Sequence, residues 1–328
     1  MNDETLARLV ADAVADVEPT DRLSEIRART AERRSARRRG WYAAGGVALA
    51  TAAAVTAFAV LGGEDPGGRA VDPADSSSPS PSMTMTRSFG QDAFFVGETA
   101  RGPRLFRDVV FLPGDERTLG TSLDALVAGP ADPDYRSLWP EGAFVGASVR
   151  GDVIEVEIAD PALHDRPAGM TPEEAALAVE QVIYTVQLQA SSARPVQFRY
   201  DGNPIDQVYG VPTGEPVSPG PVTDVRSQMS IHSPFEGEEL SDTLVAQGEN
   251  DGYEATMNWR IEDSSGEVVL EGFATATGWM DGLYPWETEP IDVSGLAPGT
   301  YTFVAVNPDP SGGEGFPPDS DTRSIIVE

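Results

Sequence analysis

Thr171-Pro172-Glu173-Glu174, followed by Ala175-Ala176-Leu177-Ala178-Val179, is the stretch that separates this chain from an ordinary β-rich one. A hydroxyl three residues ahead of a glutamate, with proline between them, is a capping box with Pro at the first helical position. The Thr171 side chain takes an orphan backbone amide, and the Glu174 side chain reaches back to the cap. The helix it opens carries Ala176, Val179, Ile183, Val186 and Ala190 on one face and runs to about Ala190.

Strand patterns flank that helix on both sides. Before it, residues 144–149 and 153–158 form a hairpin across Arg150-Gly151-Asp152, with Ile154, Val156 and Ile158 inward and Glu155 and Glu157 toward water. After it, residues 195–200 form a strand that ends in the turn Asp201-Gly202-Asn203-Pro204. Further upstream, residues 93–96 and 105–112 read as strands separated by Gly102-Pro103. Leu119, Leu123, Leu126 and Val127 then share a helical face that Gly129-Pro130 stops. Residues 91–212 are thus an α+β domain in the order strand, strand, helix, strand, strand, helix, strand.

A linker, residues 213–224, leads to an all-β domain over residues 225–328. Met257, Trp259 and Ile261 alternate with Thr256, Asn258 and Arg260, and Ser264-Ser265-Gly266 turns the chain into residues 268–270. Residues 301–306 and 324–327 supply the last of some six or seven short strands, which suggests a sandwich. Leu296-Ala297-Pro298-Gly299-Thr300-Tyr301 has the form of a tyrosine corner, in which the Tyr301 hydroxyl bonds back to the preceding connection.

Upstream of both domains, residues 41–61 contain no charge and follow the run Arg33, Arg34, Arg37, Arg38, Arg39. At about 1.5 Å per residue this stretch spans roughly the 30 Å of a bilayer core. The arginines place residues 1–40 in the cytoplasm and the rest outside. Ala57-Phe58-Ala59 would suit signal cleavage, but a forty-residue helix-patterned leader is too long for a secretory signal, and a retained transmembrane helix is the expectation. In the cytoplasmic segment, Leu6, Leu9, Val10, Ala13, Val14 and Val17 form one apolar stripe, which docks on a partner or lies on the inner leaflet. Residues 62–90, rich in Ser, Pro and Gly, are a flexible linker.

Charge and composition narrow the chemistry. All 23 basic residues are arginine; nine of them face eight acidic residues in the first forty positions, leaving 14 against 45 acidic residues in the remainder. Such a surface repels nucleic acid. With no Cys and only His164 and His232, thiolate and poly-His metal centres are excluded, and no cofactor is expected.

Candidate sites are few. His164-Asp165 could be half of a hydrolytic constellation, but no Gly-x-Ser-x-Gly elbow accompanies it and the pair reads as a solvated loop. Asp309, Glu314, Asp319 and Asp321 crowd a Gly/Pro-rich loop without the spacing of a calcium site, and read as a solvated acidic loop. Glu249-Asn250-Asp251-Gly252 reads as a turn. No catalytic or metal-binding residue is therefore expected. In Gly278-Trp279-Met280-Asp281-Gly282-Leu283-Tyr284-Pro285-Trp286, Trp286 is expected in the core. Trp279, at a loop tip, is the candidate protein-contact residue, the alternative being a place in the core.

Leu126-Val127-Ala128-Gly129-Pro130, Trp139-Pro140-Glu141-Gly142 and Val196-Gln197-Phe198-Arg199-Tyr200-Asp201-Gly202 resemble the GerMN domain of sporulation and germination proteins. Val156-Glu157-Ile158-Ala159 departs mildly from that family's Val-Asp-Leu-Ser strand end. Ile231-His232-Ser233-Pro234-Phe235-Glu236-Gly237, Tyr253-Glu254-Ala255-Thr256 and Asp263-Ser264-Ser265-Gly266 resemble the immunoglobulin-like domain of bacterial spore germination, often found beside GerMN domains. The expected chain is multi-domain: the single transmembrane helix read from its uncharged run, then, as the resemblance implies, a GerMN-like α+β domain and an immunoglobulin-like β-sandwich with no catalytic residues to carry over. The expected function is a non-catalytic, membrane-anchored scaffold or binding protein outside the cell membrane, with an envelope protein or the cell wall as partner. The alternative is a transmembrane signalling protein with a sensing ectodomain and a cytoplasmic helix that engages a regulator.

Overall fold

The computed structural model describes residues 88–309 and 313–328, all within one compact unit, Ser80–Glu328. The expected cytoplasmic segment at 1–40, the expected span at 41–61 and the expected linker up to residue 87 lie outside the described residues. Among those described, no helix is long and apolar enough to cross a membrane.

The first domain begins with β1 (Ser88–Thr99) and β2 (Gly102–Pro113), paired antiparallel from Ser88↔Pro113 to Thr99↔Gly102. Both strands are longer than the apolar runs at 93–96 and 105–112, because backbone pairing carries the ladder beyond the buried part; Ser88 to Gly90 of the expected linker are strand. Then come α1 (Leu119–Ala128), β3 (Tyr135–Arg136), β4 (Phe144–Arg150), β5 (Val153–Ile158), α2 (Pro172–Ala190) and β6 (Val196–Tyr200). The two-residue strands β7 (Asn203–Pro204), β8 (Gln207–Val208) and β9 (Val211–Pro212) follow. β5 and β6 run parallel, so α2 is their crossover, as a parallel pair requires. One sheet has the order β4-β5-β6-β7 and the other β2-β1-β3.

The α2 cap has the geometry its sequence prescribes: the Glu174 amide donates to Thr171 Oγ1 at 3.1 Å, and the Thr171 amide donates to Glu174 Oε2 at 2.9 Å. Its buried surface differs from a single stripe. Ala176 is exposed, while Ala175, Leu177, Ala178, Val179, Gln181, Val182, Ile183, Thr185 and Val186 are buried. The helix lies between two layers, with Ala178, Val182 and Val186 in the main core and Leu177 beside Phe94, Val96 and Leu105 in a smaller one. Its two buried polar side chains serve β1 where β3 has ended. The Phe94 amide donates to Thr185 Oγ1 at 3.0 Å, and Gln181 Nε2 donates to the Phe94 carbonyl at 3.0 Å.

Residues 213–224 form a docked connector: Thr213 is buried, Val217 and Val196 exchange both backbone bonds at 2.8 Å, and the Gly220 amide donates to Glu180 Oε1. The short helix α3 (Val222–Val225) ends it.

The second domain contains β10 (Met229–Ser233), β11 (Glu238–Leu240), β12 (Thr243–Leu244), β13 (Gln247–Asn250), β14 (Thr256–Glu262) and β15 (Val268–Thr275). It continues with β16 (Tyr284–Glu287), β17 (Ile291–Asp292), β18 (Gly299–Val306) and β19 (Ser320–Val327). Sheets of order β10-β13-β16 and β11-β19-β18-β14-β15 face one another over a core of Met229, Ile231 and Trp286 against Met257, Ile261, Phe303, Ala305, Ile325 and Val327. Among the described residues, the ten strands exceed the six or seven read from alternation because pieces as short as β12 and β17 are too brief to show a period. Trp286 lies over Gly248, where a Cβ would meet its ring at 2.4 Å, and Trp259 lies over Gly272 at the same separation. The Tyr301 hydroxyl donates to the Ala297 carbonyl at 2.8 Å.

The two domains meet through buried charge. Arg323 of β19, 1% exposed, donates from Nη1 to Asp132 Oδ2 at 2.7 Å and from Nη2 to the Ile231 and Arg107 carbonyls at 3.0 and 3.2 Å. It also donates to the Tyr135 hydroxyl, which in turn donates to Asp321 Oδ1. Asp321 Oδ2 accepts the Ile231 amide at 2.6 Å, and Asp108 Oδ2 fixes the Asp132 loop by accepting the Ala131 and Asp132 amides. Asp319 and Asp321 are thus buried, not part of a solvated acidic loop: β19 begins at Ser320 and carries Asp321 into the junction.

Candidate functional site

The arrangement with most capacity to bind lies where loops of the second domain meet the β1–β2 turn of the first. Gly278 lets the chain pass against the Tyr284 ring, which a Cβ would approach at 2.5 Å. The loop then presents Trp279 and Met280. Met280 has a φ of 83°, and its amide donates to Asp251 Oδ1 at 2.8 Å, tying this loop to the one before β14. That second loop carries Tyr253, whose ring meets the Trp279 ring edge-on at 5.4 Å and 78°. Gly252 allows its close course: a Cβ there would fall 2.7 Å from Asn250 Nδ2 and 2.8 Å from Asn307 Oδ1. Those two side chains bond at 3.0 Å, and Asn307 Nδ2 donates to the Gln228 carbonyl at 2.9 Å.

The result is a groove of about 440 Å³. Tyr253 is 51% exposed, Trp279 39%, Met280 73% and Phe316 68%. Asp251, Asp309, Glu314 and Asp319 add carboxylates to its walls. Among its described lining residues the one guanidinium is that of Arg101, which reaches from the first domain and donates to Gln228 Oε1. Of the turn Glu249-Asn250-Asp251-Gly252, Glu249 pairs with Arg226 at 2.5 Å, Asn250 is buried, and Asp251 faces the groove.

The remaining candidates are engaged otherwise. His164 Nδ1 lies 2.8 Å from Asp165 Oδ1 and Nε2 lies 3.1 Å from Asp206 Oδ1. The bond to Asp165, with Asp206 adding to it, holds the imidazole pKa above its ordinary value. Flanked at both nitrogens, this ring is poorly placed to act as a general base. A second cleft of about 470 Å³ lies over the open face of β4, β5 and β6, but its charged groups are already engaged: Glu155 pairs with Arg150 at 2.7 Å and with Arg199 at 2.9 Å, and Glu157 Oε1 accepts the Gly202 amide at 2.9 Å. Among the described residues, no group of three or more His, Asp or Glu is placed to hold a metal ion.

Trp279 had a legible signal, an aromatic between glycines in a segment with no strand period. Tyr253, Phe316 and Arg101 had none, because they come from three other parts of the chain.

The fold is an α+β domain joined to an all-β sandwich of immunoglobulin type. Residues 93–206 match the family described as sporulation and spore germination, and residues 228–314 match the immunoglobulin-like domain of bacterial spore germination. The chain carries this germination-protein domain pair. Similar solved structures include the following two. One is a crystal structure described as that of a lipoprotein from Clostridium perfringens, with 15% identity over 42% of this chain and 93% of that one, at a TM-score of 0.28. The other is the tandem GerMN domains of the sporulation protein GerM from Bacillus subtilis, with 15% identity over 64% of this chain and 63% of that one, at a TM-score of 0.32. No curated protein matches the chain.

Proposed function

We propose that this protein is a non-catalytic binding or scaffold protein of the cell envelope, anchored by the span at residues 41–61 and presenting residues 88–328 outside the membrane. The observation that carries the binding role is the groove itself, which takes Arg101 from the GerMN-type domain and Tyr253, Trp279 and Phe316 from the immunoglobulin-like one. Joining the domains through Arg323 holds the two halves of this surface in register, which suits a module that presents a fixed face to another envelope component. The span and the arginine run before it support the location.

A reporter that works only outside the cytoplasm, fused after Ser88, tests the topology: activity with full-length chain in membranes is expected, and a shortened soluble form would favour signal cleavage. Crosslinking from intact membranes tests the binding role. The full chain should capture a discrete envelope component that Trp279→Ala captures less well. Equal capture by both would place the binding surface elsewhere.

A further inference from the structure

We propose that His232 is a proton-operated release on the domain junction: on taking up a proton it parts from Arg107 and draws Glu249 away from Arg226, so that one proton undoes two links between the domains. His232, on β10 of the second domain, sets Nδ1 3.4 Å from Nη1 of Arg107 on β2 of the first. A guanidinium only donates, so Nδ1 accepts and the hydrogen of the neutral ring sits on Nε2. That Nε2 is buried without a hydrogen-bond partner, and Glu249 Oε2 on β13 lies 3.8 Å from it. The same carboxylate oxygen accepts from Nη2 of Arg226 at 2.5 Å. Arg226 is held to the first domain, its guanidinium 4.7 Å over the Phe94 ring and the next amide, that of Ser227, donating to the Leu105 carbonyl at 3.0 Å. Glu249 Oε2 thus stands between two donors and bonds to one of them.

Charge decides which arrangement holds. Facing the ring are Arg107, itself paired with Asp92 of β1 at 2.8 Å, then Arg226, Glu249, and Arg323 of β19 beside Asp321. Burial and the three guanidiniums hold the imidazole pKa well below its ordinary 6.5, so the closed junction carries a neutral ring. A protonated ring has an N–H at both nitrogens and sets one of them against the N–H groups of Arg107, donor against donor and cation against cation. Its other N–H has Glu249 Oε2 within reach, and bonding there takes the carboxylate from Arg226, whose Nε already lacks a hydrogen-bond partner. The imidazolium is then relieved by parting the domains and meeting water. Asp132 and Asp321, whose pKa values are raised, change stability with pH in the opposite sense, so loosening in acid is not theirs.

Hydrogen–deuterium exchange of the full-length chain in detergent, read by mass spectrometry across this pH range and corrected for the intrinsic pH dependence of exchange, tests the device. Peptides over residues 103–111 and 222–233 should lose protection, approaching about tenfold for each pH unit below roughly 6.5, as linkage to one proton requires. Peptides over β14 and β18, inside the sandwich, should keep theirs. In His232→Asn, whose Oδ1 offers Arg107 an acceptor and takes up no proton, the junction peptides should show no such loss. The ring gives a second reading that needs no variant: His164 is the only other histidine, and by NMR the His232 signals should titrate over the range in which protection falls. Equal loss in wild type and His232→Asn would overturn the proposal, as would no loss in the wild type or a His232 ring that stays neutral while protection falls. Loss spread evenly over both domains would be general acid unfolding and would overturn it too.

Discussion

Arg323 Nη1 lies 2.7 Å from Asp132 Oδ2 with both side chains almost wholly excluded from water, so the last strand of the chain is bonded to a loop 191 residues earlier. Burial opposes the charge of Arg323, but Asp321, Tyr135 and the neighbouring acids hold its proton more tightly than usual. The domain junction is therefore a polar network whose members depend on one another.

Replacing Arg323 by Met should destabilise the protein by about 3–5 kcal/mol, since it leaves the Asp321 and Asp132 carboxyls buried without a counter-ion. Asp132→Asn added to Arg323→Met should recover part of the loss. Equilibrium denaturation of the two variants is the check, and a loss below about 1 kcal/mol for Arg323→Met would show that the network is solvated.

The same network makes stability depend on pH. Burial, opposed by Arg323, pushes the Asp132 pKa from 3.8 up to about 7, and burial also raises that of Asp321. A carboxyl whose folded pKa is raised holds its proton more tightly folded than unfolded, so its contribution is full below pH 4 and is lost as pH rises to about 7. His232, close to Arg107 and Glu249, acts oppositely: burial lowers its pKa, so its contribution is present above about pH 6.5 and is lost in acid. Melting temperatures between pH 4 and 8 for wild type and Asp132→Asn separate the two. The variant should lose the acid-side advantage of the wild type; identical profiles would remove Asp132 from the account.

Tyr301→Phe deletes the hydroxyl that donates to the Ala297 carbonyl at 2.8 Å. Because that bond is exposed to solvent, the loss should fall at the low end of the ordinary range, about 0.5 kcal/mol. A loss above about 1.5 kcal/mol in chemical denaturation would mean that the corner is more strongly coupled to the sandwich than its exposure indicates.

Gly248→Ala places a Cβ 2.0 Å from the Ser230 carbonyl oxygen and 2.4 Å from the Trp286 ring. Neither neighbour is a flexible side-chain end, so the cost should reach about 3 kcal/mol or more. The change should appear as a shift of tryptophan fluorescence in the second domain together with a lower melting temperature, and an unperturbed melt would contradict the packing of Trp286 over Gly248.

Local physics was sufficient to read much of this protein from sequence. Thr171, Pro172 and Glu174 dictate the start of α2 because the cap bonds within four residues. Ile154, Val156 and Ile158 report a half-buried strand because period 2 follows from the pleat. The uncharged run at 41–61 and the arginines before it define the expected span in the same local way. Tertiary structure alone decided the rest. The wrapping of α2 on two faces, with Ala176 in solvent, depends on a second layer supplied by β1 and β2. The burial of Asp319 and Asp321 depends on where β19 docks, and sequence presents them only as acids after a glycine-rich loop. Arg101, Tyr253, Trp279 and Phe316 become one groove only when two domains close on Arg323, because a hydrogen bond or ring contact depends on distance in space and leaves no period along the chain.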